Sequence, residues 1–251
     1  IEKLVGTQAR YIRMGTFHSV FARILRENAS KIGYPESYTI YEPTDVKNLV
    51  KTIVKEMNLS EERYKPQAVA ARISMAKNSL VTPAAYRANA VLVGEDRELK
   101  MPEFSDIYAE YCIRCKRNGA MDFDDLLLQT NILLRDAPEF LEQYQHQFKY
   151  ILVDEYQDIS RQRFDLTTAI SEVCDGKIIA VGDDWQSIYA FSGSDISLFT
   201  KFQEKMGYAK LLKIVRTYRN AQDVIDIAGN FIQKNPTQTF RREPDGRTAL
   251  R

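Results

Sequence analysis

The sequence predicts an α/β fold: a parallel sheet with flanking helices, interrupted by an all-helical insert. Three observations predict it. Short apolar runs at 151–153, 177–181 and 211–215 each lead into polar residues, and helical stretches lie between them. Strands that alternate with helices imply parallel pairing, because a parallel crossover needs a connection of helix length. Between about residues 35 and 140 the apolar residues recur at helical spacing instead.

In chain order, residues 11–16 (Tyr-Ile-Arg-Met-Gly-Thr) read as a short strand ending at Gly15. Phe17, Val20, Phe21, Ile24, Leu25 and Ile32 then mark a helix, stopped by Gly33 and Pro35. Pro43 and Thr44 open the first helix of the insert, with Val46, Leu49, Val50, Ile53, Val54 and Met57 on one face. Pro66 opens the next, with Val69, Ile73, Ala76 and Leu80. Phe104, Ile107, Tyr108, Tyr111, Cys112 and Cys115 make a third stripe, and Asp122 precedes a fourth running from Phe123 to Leu134.

After Tyr150 the pattern changes. Ile151–Val153 reads as a buried parallel strand, followed by a helix around 160–173. Lys177–Val181 is a second strand, ending in Gly182-Asp183-Asp184. Leu211–Val215 is a third, ending in Thr217-Tyr218-Arg219-Asn220, and a helix over 222–234 follows it. Residues 235–251 read as a linker or frayed end.

Composition narrows the class. A hydrophobic share of 44% and a charged share of 27% describe an ordinary globular chain. The net charge of +1 does not announce a nucleic-acid binder, but the basic excess lies at the two ends, within 1–31 and 234–251. Three cysteines make no disulfide framework, and no apolar run spans a bilayer, so a reducing cytoplasm and no membrane are expected. The chain opens on Ile1 and closes in a charged run, which reads as a piece of a longer protein.

The chemistry-bearing residues cluster at the ends of the predicted strands. Asp154 and Glu155 follow the first strand, where open α/β sheets bind ligands. Asp154 there can hold Mg²⁺, and Glu155 can orient or deprotonate an attacking water; the plain alternative is an acidic, solvated turn. After the second strand, Gln186 can contact a terminal phosphate. Trp185, Tyr189 and Phe191 suit base stacking, with core packing of at least one of them, Trp185 in particular, as the alternative. Tyr218-Arg219 pairs a ring suited to a purine with a guanidinium suited to a phosphate. Thr16 or Ser19 can donate to a phosphate at a helix start, or Thr16 can simply cap that helix. Cys112-x-x-Cys115 has zinc-like spacing but lies on an apolar helical stripe, and Ser74-x-x-Lys77 lacks the partner motifs of an acyl-transfer site.

Taken together, GTFHS at 15–19, MDFDDLL at 121–127, ILVDEYQD at 151–158, VGDDWQSIYAFSGSD at 181–195 and TYRN at 217–220 resemble superfamily 1 DNA helicases of the UvrD/Rep/PcrA type. DDWQSIYAFSGSD, TYRN and FIQKNP (231–236) are closest in wording to the helicase IV branch. The resemblance implies a partial RecA-like sheet of the P-loop NTPase type in a 3′→5′ translocase driven by ATP and Mg²⁺. It implies a RecA-like domain over 1–34 and 141–234, a helical insert over 35–140, and a linker over 235–251 toward a second RecA-like domain. By the same resemblance Asp154 is the Mg²⁺-associated acid, Glu155 the catalytic base, Gln186 the γ-phosphate sensor, Tyr218 the adenine platform and Arg219 a γ-phosphate ligand. The resemblance likewise implies that Tyr189 and Phe191 hold DNA bases and that Thr16, Phe17 and His18 lie in a strand-contacting segment. The implied partners are single-stranded DNA and single/double-strand junctions.

The departures are equally specific. No Gly-x-x-x-x-Gly-Lys-Ser/Thr occurs in this chain. Ser192 stands where many relatives carry Arg, Tyr156 where many carry Phe, and Thr217 where many carry Asn. The parent is therefore expected to be a helicase and this piece alone inactive. The competing expectations are a non-catalytic DNA-binding module with a degenerate nucleotide site, and the helicase subunit of a recombination nuclease.

Overall fold

The computed structural model describes residues 2–171, 177–190, 193–214, 218–232 and 234. These fall into two compact units, one over 1–149 and 161–176, the other over 150–160 and 177–251.

The first unit is mainly helical. Helix α1 (Glu2–Val5) leads into a 3₁₀ turn at Gly6–Tyr11. Residues 12–16 are irregular, so the strand expected over 11–16 is absent. Tyr11 and Met14 are exposed, with no partner strand to satisfy an extended backbone among the described residues. Helix α2 (Phe17–Glu27) follows, capped by Thr16. A second 3₁₀ turn, Ala29–Ile32, ends at Gly33, whose left-handed φ of 72° closes the turn without a Cβ clash.

The insert contains more than helices. Strand β1 (Thr39–Tyr41) pairs in parallel with β2 (Ala120–Asp122), joining stretches some eighty positions apart, in the register Ile40 to Met121. The expectation of an all-helical 35–140 is corrected here: Tyr38-Thr39-Ile40-Tyr41 is β-branched and aromatic, and pairing outweighed helical periodicity. Between these strands run α3 (Pro43–Glu56), α4 (Pro66–Asn78), α5 (Pro83–Ala88), α6 (Ala90–Glu98) and α7 (Phe104–Arg117). Their apolar faces meet in one core containing Val50, Ile53, Val69, Ile73, Phe104, Ile107, Tyr108 and Tyr111. Helices α8 (Phe123–Asp136), α9 (Pro138–Gln147) and α10 (Arg161–Ser171) complete the unit. Leu25, Tyr38, Met121, Leu126 and Leu133 form a second core.

One polar cluster is wholly buried. Lys77 has no exposed surface, and its Nζ lies 2.7 Å from Asp122 Oδ2 and 2.8 Å from Asp125 Oδ1. Tyr111 donates its hydroxyl to Asp122 Oδ2 at 2.7 Å. Burial alone would neutralise Lys77, but the two carboxylates outweigh it and raise its pKa well above normal. Asp122 and Asp125 also exchange capping bonds at the start of α8, Asp125 N–H to Asp122 Oδ1 at 2.8 Å and Asp122 N–H to Asp125 Oδ2 at 3.2 Å. Lys77 is thus a structural cation that joins α4, α7 and α8. Cys112 and Cys115 lie on α7, where burial pushes both thiols up to about 12.

The second unit is built on two parallel strands, β3 (Tyr150–Val153) and β4 (Lys177–Ala180), in the register Leu152 to Ile179. The expected burial of this stretch holds on one face only, since Leu152 is 71% exposed while Val153 is buried. A 3₁₀ turn at Tyr156–Asp158 follows β3, and another at Asp184–Gln186 follows β4. Helices α11 (Ile196–Thr200), α12 (Phe202–Met206) and α13 (Gln222–Ile232) complete the unit. The third strand expected over 211–215 is corrected: 211–214 are irregular, with Leu212 and Ile214 exposed, and Val215 lies outside the described residues. An apolar run with no neighbouring strand has nothing to pair with. Among the described residues no helix is long and apolar enough to cross a membrane.

Candidate nucleotide and nucleic-acid site

The end of β3 sets the geometry of the second unit. Val181 N–H donates to Val153 O at 2.9 Å, and Tyr156 N–H donates to Val181 O at 2.9 Å. A regular parallel ladder would bring the second bond from residue 155, so one extra residue is accommodated here. Glu155 makes the local turn with left-handed backbone (φ 51°), a conformation that costs a non-glycine residue roughly 1–2 kcal/mol. Asp154 supports it, its Oδ1 accepting the Glu155 N–H at 3.0 Å. Both carboxylates are exposed at the strand tip.

Tyr156 anchors the turn from beneath. Its ring is fully buried and packs edge-on against Phe202, with centroids 5.3 Å apart. Burial pushes its hydroxyl up to about 12. The next residue, Gln157, is also buried, and its amide faces two ways. Its Nε2 donates to Glu155 Oε2 at 2.7 Å, and its Oε1 accepts the Asp183 N–H at 3.0 Å. Asp183 in turn accepts from Trp185 N–H at 3.0 Å and from Gln186 Nε2 at 2.9 Å. One hydrogen-bonded chain thus runs from Glu155 through Gln157 and Asp183 to Gln186. Gln157 and Gly182 were not among the sequence candidates, although Gln157 lies two positions beyond Glu155 in the same motif.

The loop after Gln186 is fixed at its base. Ser160 and Ser194 form an antiparallel bridge, and Asp195 N–H donates to Ile159 O at 3.0 Å. Tyr189 stands half-exposed on this loop, while Phe191 and Ser192 lie outside the described residues. Trp185 is half-buried, its indole lying against α13, where a Cβ built on Gly229 would be 3.4 Å from Cζ3. Tyr218 and Arg219 stand exposed on irregular backbone rather than at a strand end, and Thr217 is outside the described residues.

In the first unit, Thr16 Oγ1 accepts the Ser19 N–H at 3.2 Å, so the plain capping role is filled. Phe17 stacks on Phe21 with centroids 6.2 Å apart, and the Arg163 guanidinium lies 5.8 Å above the Phe17 ring. His18 meets the Phe123 ring edge-on. Burial, helped by the charge of Arg163, lowers the His18 pKa below its usual value. Phe17 and His18 are therefore half-buried, each already against an aromatic neighbour.

Residues 1–207 match the UvrD/REP helicase N-terminal domain. The chain is 36% identical over 251 residues to the ATP-dependent DNA helicase PcrA of Staphylococcus epidermidis, and 36% identical over 246 residues to the PcrA of Staphylococcus aureus. Each comparison covers 98% of this chain but only 32% of the relative, so the chain spans about a third of the length of these proteins.

Proposed function

The chain belongs to the UvrD/REP helicase family, and from that premise we propose that its parent is an ATP-dependent 3′→5′ DNA helicase acting on single-stranded DNA and on single/double-strand junctions. Residues 1–34 and 141–234 form part of a RecA-like P-loop domain, 35–140 its insert, and 235–251 the passage to a second RecA-like domain.

Glu155 takes the proton of the attacking water as the water oxygen bonds to the γ-phosphorus. The bond to the bridging oxygen breaks and ADP leaves. Asp154 would hold Mg²⁺, which would supply neutralisation of the charge on the transferred phosphoryl group. The residues present fit such an ion: Asp154 offers exposed hard oxygen donors at a strand tip, and Mg²⁺ needs only one or two carboxylates besides substrate phosphates. Gln186 reads the γ-phosphate, Arg219 reaches it, and Tyr218 stacks on adenine. Tyr189 and Phe191 hold bases, and Thr16, Phe17 and His18 contact the strand.

The observation that supports this reading most is the hydrogen-bonded chain from Glu155 to Gln186, since ATP turnover coupled to DNA needs the base and the phosphate sensor to move together. In the intact parent, Glu155→Gln should abolish ATP turnover and leave ATP and DNA binding nearly unchanged. Loss of binding instead would make Glu155 structural and sink the assignment.

A further inference from the structure

We propose that Gln157 is a positioning residue that couples the Glu155 carboxylate to the loop opening at Gly182; this rests on Glu155 acting as the base of the proposed ATPase. Gln157 is 1% exposed, and its amide bonds at both ends, to Glu155 Oε2 at 2.7 Å and to Asp183 N–H at 3.0 Å. A carboxamide supplies a donor and an acceptor on one neutral group, whereas an ionised carboxylate only accepts and an apolar side chain does neither.

Two further features fix that amide. The left-handed backbone of Glu155 aims its side chain independently of the strand pleat, so an external bond must decide where the carboxylate rests. Gly182 leaves the amide its room: a Cβ there would come within 2.7 Å of Gln157 Oε1, 3.1 Å of Gln157 N and 3.1 Å of Phe199 Cε2. Asp183, whose backbone N–H donates to the Gln157 amide oxygen, accepts from Gln186 Nε2 on its side chain at 2.9 Å. A shift of the loop therefore pulls on the amide and, through it, on the carboxylate.

The test measures ATP turnover of the intact parent with a single-stranded oligonucleotide, for Gln157→Glu and Gly182→Ala, together with melting temperature. At about pH 8, Gln157→Glu keeps the acceptor for Asp183 but sets a second carboxylate against Glu155. We expect kcat to fall at least about tenfold with ATP KM within about twofold. Lowering the pH should restore the ratio of variant to wild-type kcat, because the protonated side chain regains a donor for Glu155. A merely structural role predicts that the loss and its recovery track the melting temperature, whereas positioning predicts both at an unchanged melting temperature. Gly182→Ala should lower kcat at every pH, since its Cβ displaces the amide regardless of charge. Wild-type kcat in Gln157→Glu at pH 8, or a loss without acid recovery in a variant that melts like wild type, overturns the proposal. If Gln157→Glu does not fold, Gly182→Ala decides: reduced kcat with ATP KM unchanged supports the coupling, and wild-type kcat overturns it. Retained turnover in Glu155→Gln would instead refute the underlying site.

Discussion

Lys77 shows how far a single side chain can depart from its usual place. A lysine is almost never fully buried unless paired, and this one has two carboxylates and a tyrosine around it. Removing the cation leaves the carboxylates unpaired in the interior, so Lys77→Met should cost about 3–5 kcal/mol, read by denaturant melting. The pair also fixes a pH dependence. Burial, then the charge of Asp122, raises Asp125 to about 7. A carboxyl raised on folding binds its proton more tightly in the folded state, so its stabilisation is complete below about pH 4 and lost as pH rises through about 7. Asp122 runs the other way: burial raises it, but the charge and hydrogen bond of Lys77, joined by the bonds from Tyr111 and the Asp125 N–H, together lower its pKa, so its stabilisation is lost in acid. Melting temperature should therefore decline between about pH 4 and pH 7, and replacing Asp125 by Asn should flatten that slope. None of this was legible beforehand, because a Ser-x-x-Lys on a helix gives no sign that two aspartates some forty-five positions on will meet it. Glu155 and Asp154 were legible, because an acidic pair directly after an apolar strand can be placed from the strand alone.

At the scale of elements, legibility followed locality. Helices with strong periodicity and a clear start, such as α3 behind Pro43 and α8 behind Asp122, were readable to within a few residues. The pairing of β1 with β2 was not, because its partners are joined only through the whole insert. The strand expected over 211–215 failed for the converse reason: a β-rich run had no partner among the described residues. Helix α13 was readable, but its contact was not. Gly229 lets the helix approach Trp185, the protein's single tryptophan. Gly229→Ala should fit at 3.4 Å and stabilise the helix by roughly 0.5–1 kcal/mol without moving the fluorescence maximum. Gly229→Leu should displace the indole and shift its emission to the red. An unshifted spectrum would remove Trp185 from that contact.

At the scale of the molecule, the phosphate-cradling segment is what this sequence does not contain. Phosphoryl transfer depends on positioning and charge neutralisation by loop amides, a lysine, metal and arginines. The purified chain should therefore hydrolyse ATP negligibly beside full-length relatives, with or without DNA. Turnover at a comparable rate would show that Asp154, Glu155, Gln186 and Arg219 suffice. The family and the general α/β character could be read because five short motifs keep their order, and order survives wherever the local backbone is irregular. The division into units could not, because it depends on which surfaces meet.

The pairing of β3 with β4 has a practical outcome. A parallel ladder is ordinarily sandwiched between layers, yet here Leu152 and Ile179 face outward side by side. Among the described residues each strand also has a flank of amides and carbonyls that no third strand occupies. Such a border is a template for any extended peptide that drifts past, including another molecule of the same polypeptide. Handled alone at high concentration, this polypeptide should stick to itself, starting at that greasy ribbon.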